Sequence, residues 1–554
     1  MITFFIALAA LIFGYLIYGA IIDRMFAPDD RQTPCVVHPD GVDYVPIGPG
    51  RAFLIQLLNI AGLGPIFGAL SGAIWGPSVY LWIVFGTIFA GAVHDYLVGM
   101  LSMRNDGASV SEITGKYLGF SMKQVMRVFS VVLLVMVGVV FMVGPAGLLA
   151  KMIVEGGASI AGAAGAAGEA AGEAASWIPE SVVSAMHSFV ATITGKDLAA
   201  GEVLSVADWT KVLTVVILIY YFLATLLPID KVIGKIYPLF GLCLIIMAVG
   251  IAGATVMNHL NGTKPMIELW EGFYNMHPKG ATTPIWPLMF ITVACGAISG
   301  FHATQSPMMA RCLTSERQGR FVFYGAMVAE GIIALIWASA GIAFYNATDG
   351  GFSTANLLAV GGGNSTSVYE ISVGLLGTAG GILALLGVVA CPITSGDTAF
   401  RSARLTLADW FKIDQKPFMP RLALALPLLA AGYAISFINY GVVWRYFSWS
   451  NQTLAMIALW AGAVYLARNV SAWRGFIAAI PACFMTAVSF TYLCYAPECF
   501  NFAVKFADGV EFCGISMNGV TLSYAIGIIF AIAFMCIFIG TFRAAAWLES
   551  EKKA

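Results

Sequence analysis

Four ionisable side chains fall inside stretches that are otherwise strongly apolar: the adjacent pair His94 and Asp95, then His302 and Glu330. Asp397 stands at the end of a further such stretch. A charged side chain at the centre of a bilayer costs at least about 2.5–3.5 kcal/mol if it faces lipid, so residues of this kind face protein or water. An imidazole or carboxylate in a buried cavity can take up and release a proton. Imidazole suits the task because its unperturbed pKa of about 6.5 lies close to physiological pH. Interhelical hydrogen bonding that only fixes helix contacts would use the same residue types. Asp397 belongs to the run CPITSGDTAFRSAR at 391–404, where the hydroxyls of Thr394, Ser395 and Thr398 surround a carboxylate. Such oxygens can ligate a small hard cation, or bond back to the backbone around Pro392. Arg401 and Arg404 read as anchors that reach for a membrane interface.

Two apolar stretches are interrupted in the same manner: IAGLGPIFG at 60–68, with Gly62, Gly64 and Pro65, and CGAISGFHATQSP at 295–307, with Ser299, Gly300, His302 and Gln305. Glycine weakens a helix and proline removes a backbone donor, so both stretches can unwind. Freed peptide groups at membrane depth are tolerated only where they line a protein cavity. Paired discontinuous helices are how many carriers build a solute site at the bilayer midplane. Close helix contact at small residues is the competing explanation for either break alone.

The elements that must hold these residues follow from composition. Of 554 residues 59% are hydrophobic and 11% charged, against roughly 25% charged in soluble domains, so the chain reads as an all-α membrane protein. Apolar stretches at about 3–22, 52–75, 78–102, 125–150, 209–227, 232–257, 286–309, 321–345, 368–396, 422–439, 446–467, 475–496 and 518–542 give about 13 transmembrane helices. The first is too long and too poor in basic residues for a cleaved signal peptide. This count puts 22 of the 29 Lys and Arg on one side of the membrane. Cytoplasmic loops retain such residues, so the N-terminus is expected outside and the C-terminus in the cytoplasm. Helices 2 and 7 then run in opposite directions five helices apart, which makes helices 2–6 and 7–11 inverted repeats. The chain divides into 1–51, a first repeat at 52–257 with an external loop at 151–208, a second repeat at 286–467, and two C-terminal helices at 468–554. The Ala/Gly-rich run in the external loop reads as a spacer. Cys499 and Cys513 share the last external loop, where an oxidising exterior permits a disulfide. A net charge of -1 gives no reason to expect a nucleic-acid partner.

Several runs together resemble the carbon starvation protein A family: DDRQTP at 29–34 with DGVDYVP at 40–46, GAVHDYLVGMLSMRNDGASVSEI at 91–113, SGFHATQSPMMA at 299–310 and SGDTAFRSARLTLADW at 395–410. The resemblance covers roughly residues 1–470. It implies a bacterial inner-membrane carrier of peptides or pyruvate, used when preferred carbon is exhausted, within the amino acid–polyamine–organocation superfamily. That superfamily has a LeuT-like 5+5 inverted repeat, in agreement with the repeats at helices 2–6 and 7–11. By position, the resemblance implies solute contacts at Gly62, Gly64, Ser299, Gly300 and His302, in the breaks that also hold Pro65 and Gln305. It also implies an ion site at Thr394 and Ser395. The expected activity is ion-coupled import of a small carboxylate or short peptide by alternating access. His94, Asp95, Glu330 and Asp397 are candidates for coupling, and the partners are the solute, the lipid bilayer and a proton or sodium ion, with no metal or other cofactor. The chain departs from the larger branch in its shorter helix 2 break and its acidic-alanine external loop. A membrane-embedded enzyme on His94, Asp95 and His302 would lack any HExxH or nucleophile–base motif. A nutrient sensor would need an output domain, and the tail beyond Phe542 is about a dozen residues.

Overall fold

The computed structural model describes residues 1–40, 44–163, 180–198, 202–226, 230–346, 352–415, 417–512 and 514–553. Thirteen long segments follow in chain order. They are α1 (Ile2–Phe26), α2 (Pro49–Ile60 and Gly64–Trp75), α3 (Val79–Arg104), α4 (Phe120–Val154), α5 (Val206–Thr225) and α6 (Leu239–Leu260). Next come α7 (Ile285–Met289, Phe290–Thr292 and Phe301–Ala310), α8 (Glu316–Tyr345), α9 (Ser365–Phe411) and α10 (Phe418–Ile435). The last are α11 (Tyr440–Asn469), α12 (Ala472–Tyr495) and α13 (Gly519–Leu548). Ten are long and apolar enough to cross a bilayer unaided, and α2 crosses as a pair bent by 54°. The other two are the interrupted α7 and α11, which carries Ser448, Ser450, Asn451, Gln452 and Thr453 at its centre.

Burial sorts these helices. α3 and α8 are buried nearly throughout, whereas α1, α6 and α13 turn Ile6, Phe13, Leu242, Val249, Ile532 and Ile537 outward. An apolar surface of this kind is matched to lipid, which is a solvent for such side chains. Glycines let the inner helices close up. A Cβ on Gly91 of α3 would collide with the Ala297 carbonyl of α7, and one on Gly138 of α4 with the Phe400 ring of α9.

Two helices exceed their expected lengths. α4 continues as helix to Ala163, and a separate helix covers Glu180–Thr194, so part of the expected loop at 151–208 is helical. The rest of its Ala/Gly run lies outside the described residues. α9 runs to Phe411 instead of ending near 396, because Ala399, Phe400, Ala403 and Ala408 keep an apolar face buried after the charges begin. Arg404 therefore does not reach out as an interfacial anchor. It is only 7% exposed.

The ends of α3 and α8 meet α11 and the segment after α1 in one charged cluster. Arg104 donates Nε and Nη2 to the two oxygens of Glu316 at 2.8 and 2.9 Å, Nη1 to the Tyr465 hydroxyl at 2.8 Å and Nη2 to the Ala27 carbonyl at 3.0 Å. The Asp29 amide donates to Glu316 as well, at 3.1 Å. A bidentate pair so placed fixes angle as well as distance.

At the opposite end, Glu268 in the segment between α6 and α7 caps α1. Its oxygens accept the amides of Ile2 and Thr3 at 2.9 and 2.8 Å, while Thr3 Oγ1 accepts the Leu269 amide at 3.0 Å. Burial acts to raise the Glu268 pKa, but bonds from the Met1 amino group, Thr3 and Ile2 outweigh it and hold it at about 2. A carboxylate depressed in the folded state stabilises fully above its ordinary value of 4.5 and loses that contribution as pH falls toward 2. The protection factors of the Ile2 and Thr3 amides, from which the intrinsic pH dependence of exchange is divided out, are expected to fall across that window, and Glu268→Gln to remove that fall. Protection factors that stay constant in the unsubstituted protein would contradict the cap.

Candidate functional site

The interruption in α2 spans residues 61–63 and that in α7 residues 293–300. In α2 the chain turns within hydrogen-bond reach of itself, Gly62 N donating to Ile60 O at 2.9 Å, and Pro65 has no amide to offer. The two breaks lie against each other. A Cβ on Gly64 would overlap Cys295, one on Gly68 would press on the Thr292 carbonyl, and one on Gly296 would lie 3.8 Å from Pro65 Cα. Residues 61–68 and 293–300 are all buried.

Unwound peptide groups at this depth need partners, and neighbouring helices supply them for α7. Asn451 of α11 accepts the Phe301 amide at 2.7 Å through Oδ1, and donates Nδ2 to Ser299 Oγ at 3.1 Å and to the Ala294 carbonyl at 3.4 Å. Its own backbone carbonyl accepts the Gly300 amide at 3.0 Å. Gly300 is needed here, because a Cβ would collide with that same carbonyl. Gln452 donates to the carbonyls of Phe290 and Val293 at 2.7 and 3.2 Å, and Thr87 of α3 donates to Gly296 O at 3.0 Å.

The ionisable residues form one chain beside this seam. Asp95 accepts from both sides: His94 Nδ1 lies 2.8 Å from Oδ1 and His302 Nδ1 2.8 Å from Oδ2. His302 Nε2 stands 3.3 Å from Glu330 Oε2. All four side chains are fully buried. With Asp95 ionised, each imidazole donates through Nδ1, which leaves Nε2 of a neutral ring bare. His302 Nε2 and the Glu330 carboxyl have no aligned hydrogen-bond partner. One proton between them would join the pair, on either atom. Three helices (α3, α7 and α8) thus meet through a chain of proton acceptors that passes beside the α7 break at His302.

The predicted residues separate into three groups. Gly62, Gly64, Pro65, Ser299 and Gly300 line the seam; Gly62 faces the Phe141 ring of α4. His302 sits at the seam but turns its ring to Asp95 and Glu330, alongside His94. Gln305 is buried one turn further along and donates to Thr304 Oγ1 at 3.0 Å. On α9 the hydroxyls of Thr394 and Ser395 donate to the Cys391 carbonyl at 2.7 and 3.1 Å, and Asp397 lies 3.7 Å from Arg401. Cys391 in turn touches the Leu58 carbonyl, three residues before the α2 break. Asn451, Gln452 and Thr87 are absent from the sequence reading. Cys499 is half-buried, and Cys513, its expected disulfide partner, lies outside the described residues.

Comparison with known proteins gives this geometry a context. An uncharacterized membrane protein of Haemophilus influenzae is 46% identical over 364 residues, which cover 62% of this chain and 91% of that protein. The peptide transporter CstA of Escherichia coli is 27% identical over 571 residues, covering 86% of this chain and 78% of its own. The pyruvate/proton symporter BtsT of Escherichia coli is 29% identical over 334 residues, 55% of this chain and 43% of BtsT. Among solved structures, MhsT in complex with L-phenylalanine superposes with a TM-score of 0.50 at 15% identity, over 79% of this chain and 98% of MhsT. That likeness is one of fold, and the fold is the LeuT-like one that the family resemblance implies. The family model described as carbon starvation protein CstA matches residues 1–349. By this match, which spans more than half of its residues, the chain belongs to the carbon starvation protein CstA family.

Proposed function

We propose that the protein is a proton-coupled carrier that imports a small carboxylate of the pyruvate type, or a short peptide, across the bacterial inner membrane. The observation that carries this reading is the hydrogen-bonded series His94, Asp95, His302 and Glu330 abutting two facing helix breaks. A solute carboxylate would engage peptide groups at the α2 and α7 breaks, where half-helix ends offer amides. Proton uptake on the His302–Glu330 pair would change the charge beside the solute and so favour one facing of the site over the other. Coupling requires that difference between states. The α2 and α7 segments would move against α4, α5, α9 and α10, with the N-terminus outside and the C-terminus in the cytoplasm. The relatives' names support both solute classes, since one is a peptide transporter and another a pyruvate/proton symporter.

A proton is favoured over sodium because the side chains that abut the breaks are imidazoles and carboxylates, which take up and release protons. The deciding experiment is uptake into proteoliposomes of labelled pyruvate and of a labelled dipeptide, with a proton gradient and then a sodium gradient imposed. Accumulation of either solute under the proton gradient alone is the expected result. Accumulation driven only by sodium would move coupling to α9. Absence of uptake under both gradients would remove the carrier reading.

A further inference from the structure

Arg404 poses an electrostatic problem that the carrier mechanism does not use. Its side chain is 7% exposed, and its Nε and Nη1 are buried with no hydrogen-bond partner. A guanidinium keeps its charge at any physiological pH, so burial without a counter-charge is costly. The surroundings deepen the imbalance. Arg401, Arg421 and Asp397 lie within electrostatic reach, and Asp397 is 3.7 Å from Arg401. Among the described side chains that act on Arg404, two are guanidiniums and one is a carboxylate, and that carboxylate lies nearer Arg401. Arg421 donates Nε and Nη2 to the Gln415 carbonyl at 3.3 and 3.0 Å, and the Gln415 side-chain amide is itself buried with neither nitrogen nor oxygen partnered. Asp409, the next acid along α9, faces Arg311, Arg127 and Glu112 instead. The α9–α10 corner thus offers donors and positive charge in excess of what the protein satisfies.

Its position says what could satisfy them. Arg127 lies 5.9 Å over the ring of Trp410, so the corner shares the Lys/Arg-rich end of the molecule with α4. Leu405, Phe411, Phe418 and Met419 beside it are exposed apolar side chains at the bilayer rim. Basic pockets between membrane helices on the cytoplasmic side bind anionic headgroups, and the guanidinium fork matches a phosphate. We propose that the α9–α10 corner binds the phosphate of an anionic phospholipid, with Arg404 at its centre, Arg401 and Arg421 around it, and the acyl chains along Leu405, Phe418 and Met419. The inference stands apart from what the protein carries.

The test uses the full chain in neutral detergent, with phosphatidylglycerol, phosphatidylcholine, inorganic phosphate and glycerol phosphate as probes. Native mass spectrometry reads retained lipid, and thermal unfolding reads stabilisation. Phosphatidylglycerol is expected to be retained about five- to tenfold over phosphatidylcholine, and Arg404→Gln or Arg421→Gln to lower that retention by about fivefold. Arg317→Gln, which removes an exposed guanidinium paired with Asp30, is expected to leave it unchanged. If Arg404→Gln does not fold, the Arg421→Gln comparison decides. Equal retention of the two lipids, or retention unaffected by both α9–α10 variants, overturns the proposal. Stabilisation by glycerol phosphate or inorganic phosphate equal to that by phosphatidylglycerol would assign the corner to a soluble oxyanion and equally overturn it.

Discussion

Asp95→Asn is expected to reduce proton-driven accumulation in proteoliposomes to the passive level. For one proton per solute, a gradient of one pH unit sustains about tenfold accumulation, and that is the predicted loss. Asp95 accepts from two imidazoles at 2.8 Å each. An asparagine amide has the same shape but presents a donor at one end, so one ring must exchange its tautomer to face it. If that ring is His302, the proton moves to Nε2 and is fixed toward Glu330, and the pair can no longer load and unload. The helix breaks are untouched, so exchange of labelled for unlabelled solute at equal concentrations should continue. Accumulation within about twofold of the unsubstituted protein would take Asp95 out of the coupling role.

A second large effect is expected at a residue with no ionisable group. Asn451→Ala removes the acceptor of the Phe301 amide and the donor to Ser299 and the Ala294 carbonyl. Each buried polar group left unpaired costs about 1–3 kcal/mol, and no water replaces the lost partner at bilayer depth. The midpoint of thermal unfolding in detergent should fall by about 5 °C or more. Asn451→Asp, which keeps the acceptor for Phe301 but not the donor, should lie between. A midpoint within about a degree of the unsubstituted protein would show that the α7 break holds itself open without α11.

What could be read from the sequence follows from how each feature is encoded. The α2 and α7 breaks were legible because Gly62, Gly64, Pro65 and Gly300 disrupt a helix through their own backbone properties, whatever surrounds them. His94, Asp95, His302 and Glu330 were legible singly, since each is expensive in lipid. Their union was not, because it depends on how α3, α7 and α8 cross. Asn451 and Gln452 escaped because polar residues within a membrane helix serve most often as interhelical glue. The uninterrupted polar run Ser450 to Thr453, at the centre of a spanning helix, was the available signal. The end of α9 was misplaced because hydropathy falls at Asp397, whereas helix continues for as long as Ala399, Phe400 and Ala403 have a surface to cover. Glu316 falls between the expected helices 286–309 and 321–345 with no local pattern to mark it, and only its meeting with Arg104 across the fold explains its burial.

Two neighbouring side chains on α11 hold opposite sides of the gap in α7. Gln452 grips the stretch before it at Phe290 and Val293, and Asn451 grips the stretch after it at Ser299 and Phe301 while reaching back to the Ala294 carbonyl. α11 is therefore a two-handed clasp. Either half of α7 can tilt away only by letting go of one hand while the other stays closed. Consecutive positions in a single helix thereby tie both halves of α7 to the same rigid rod.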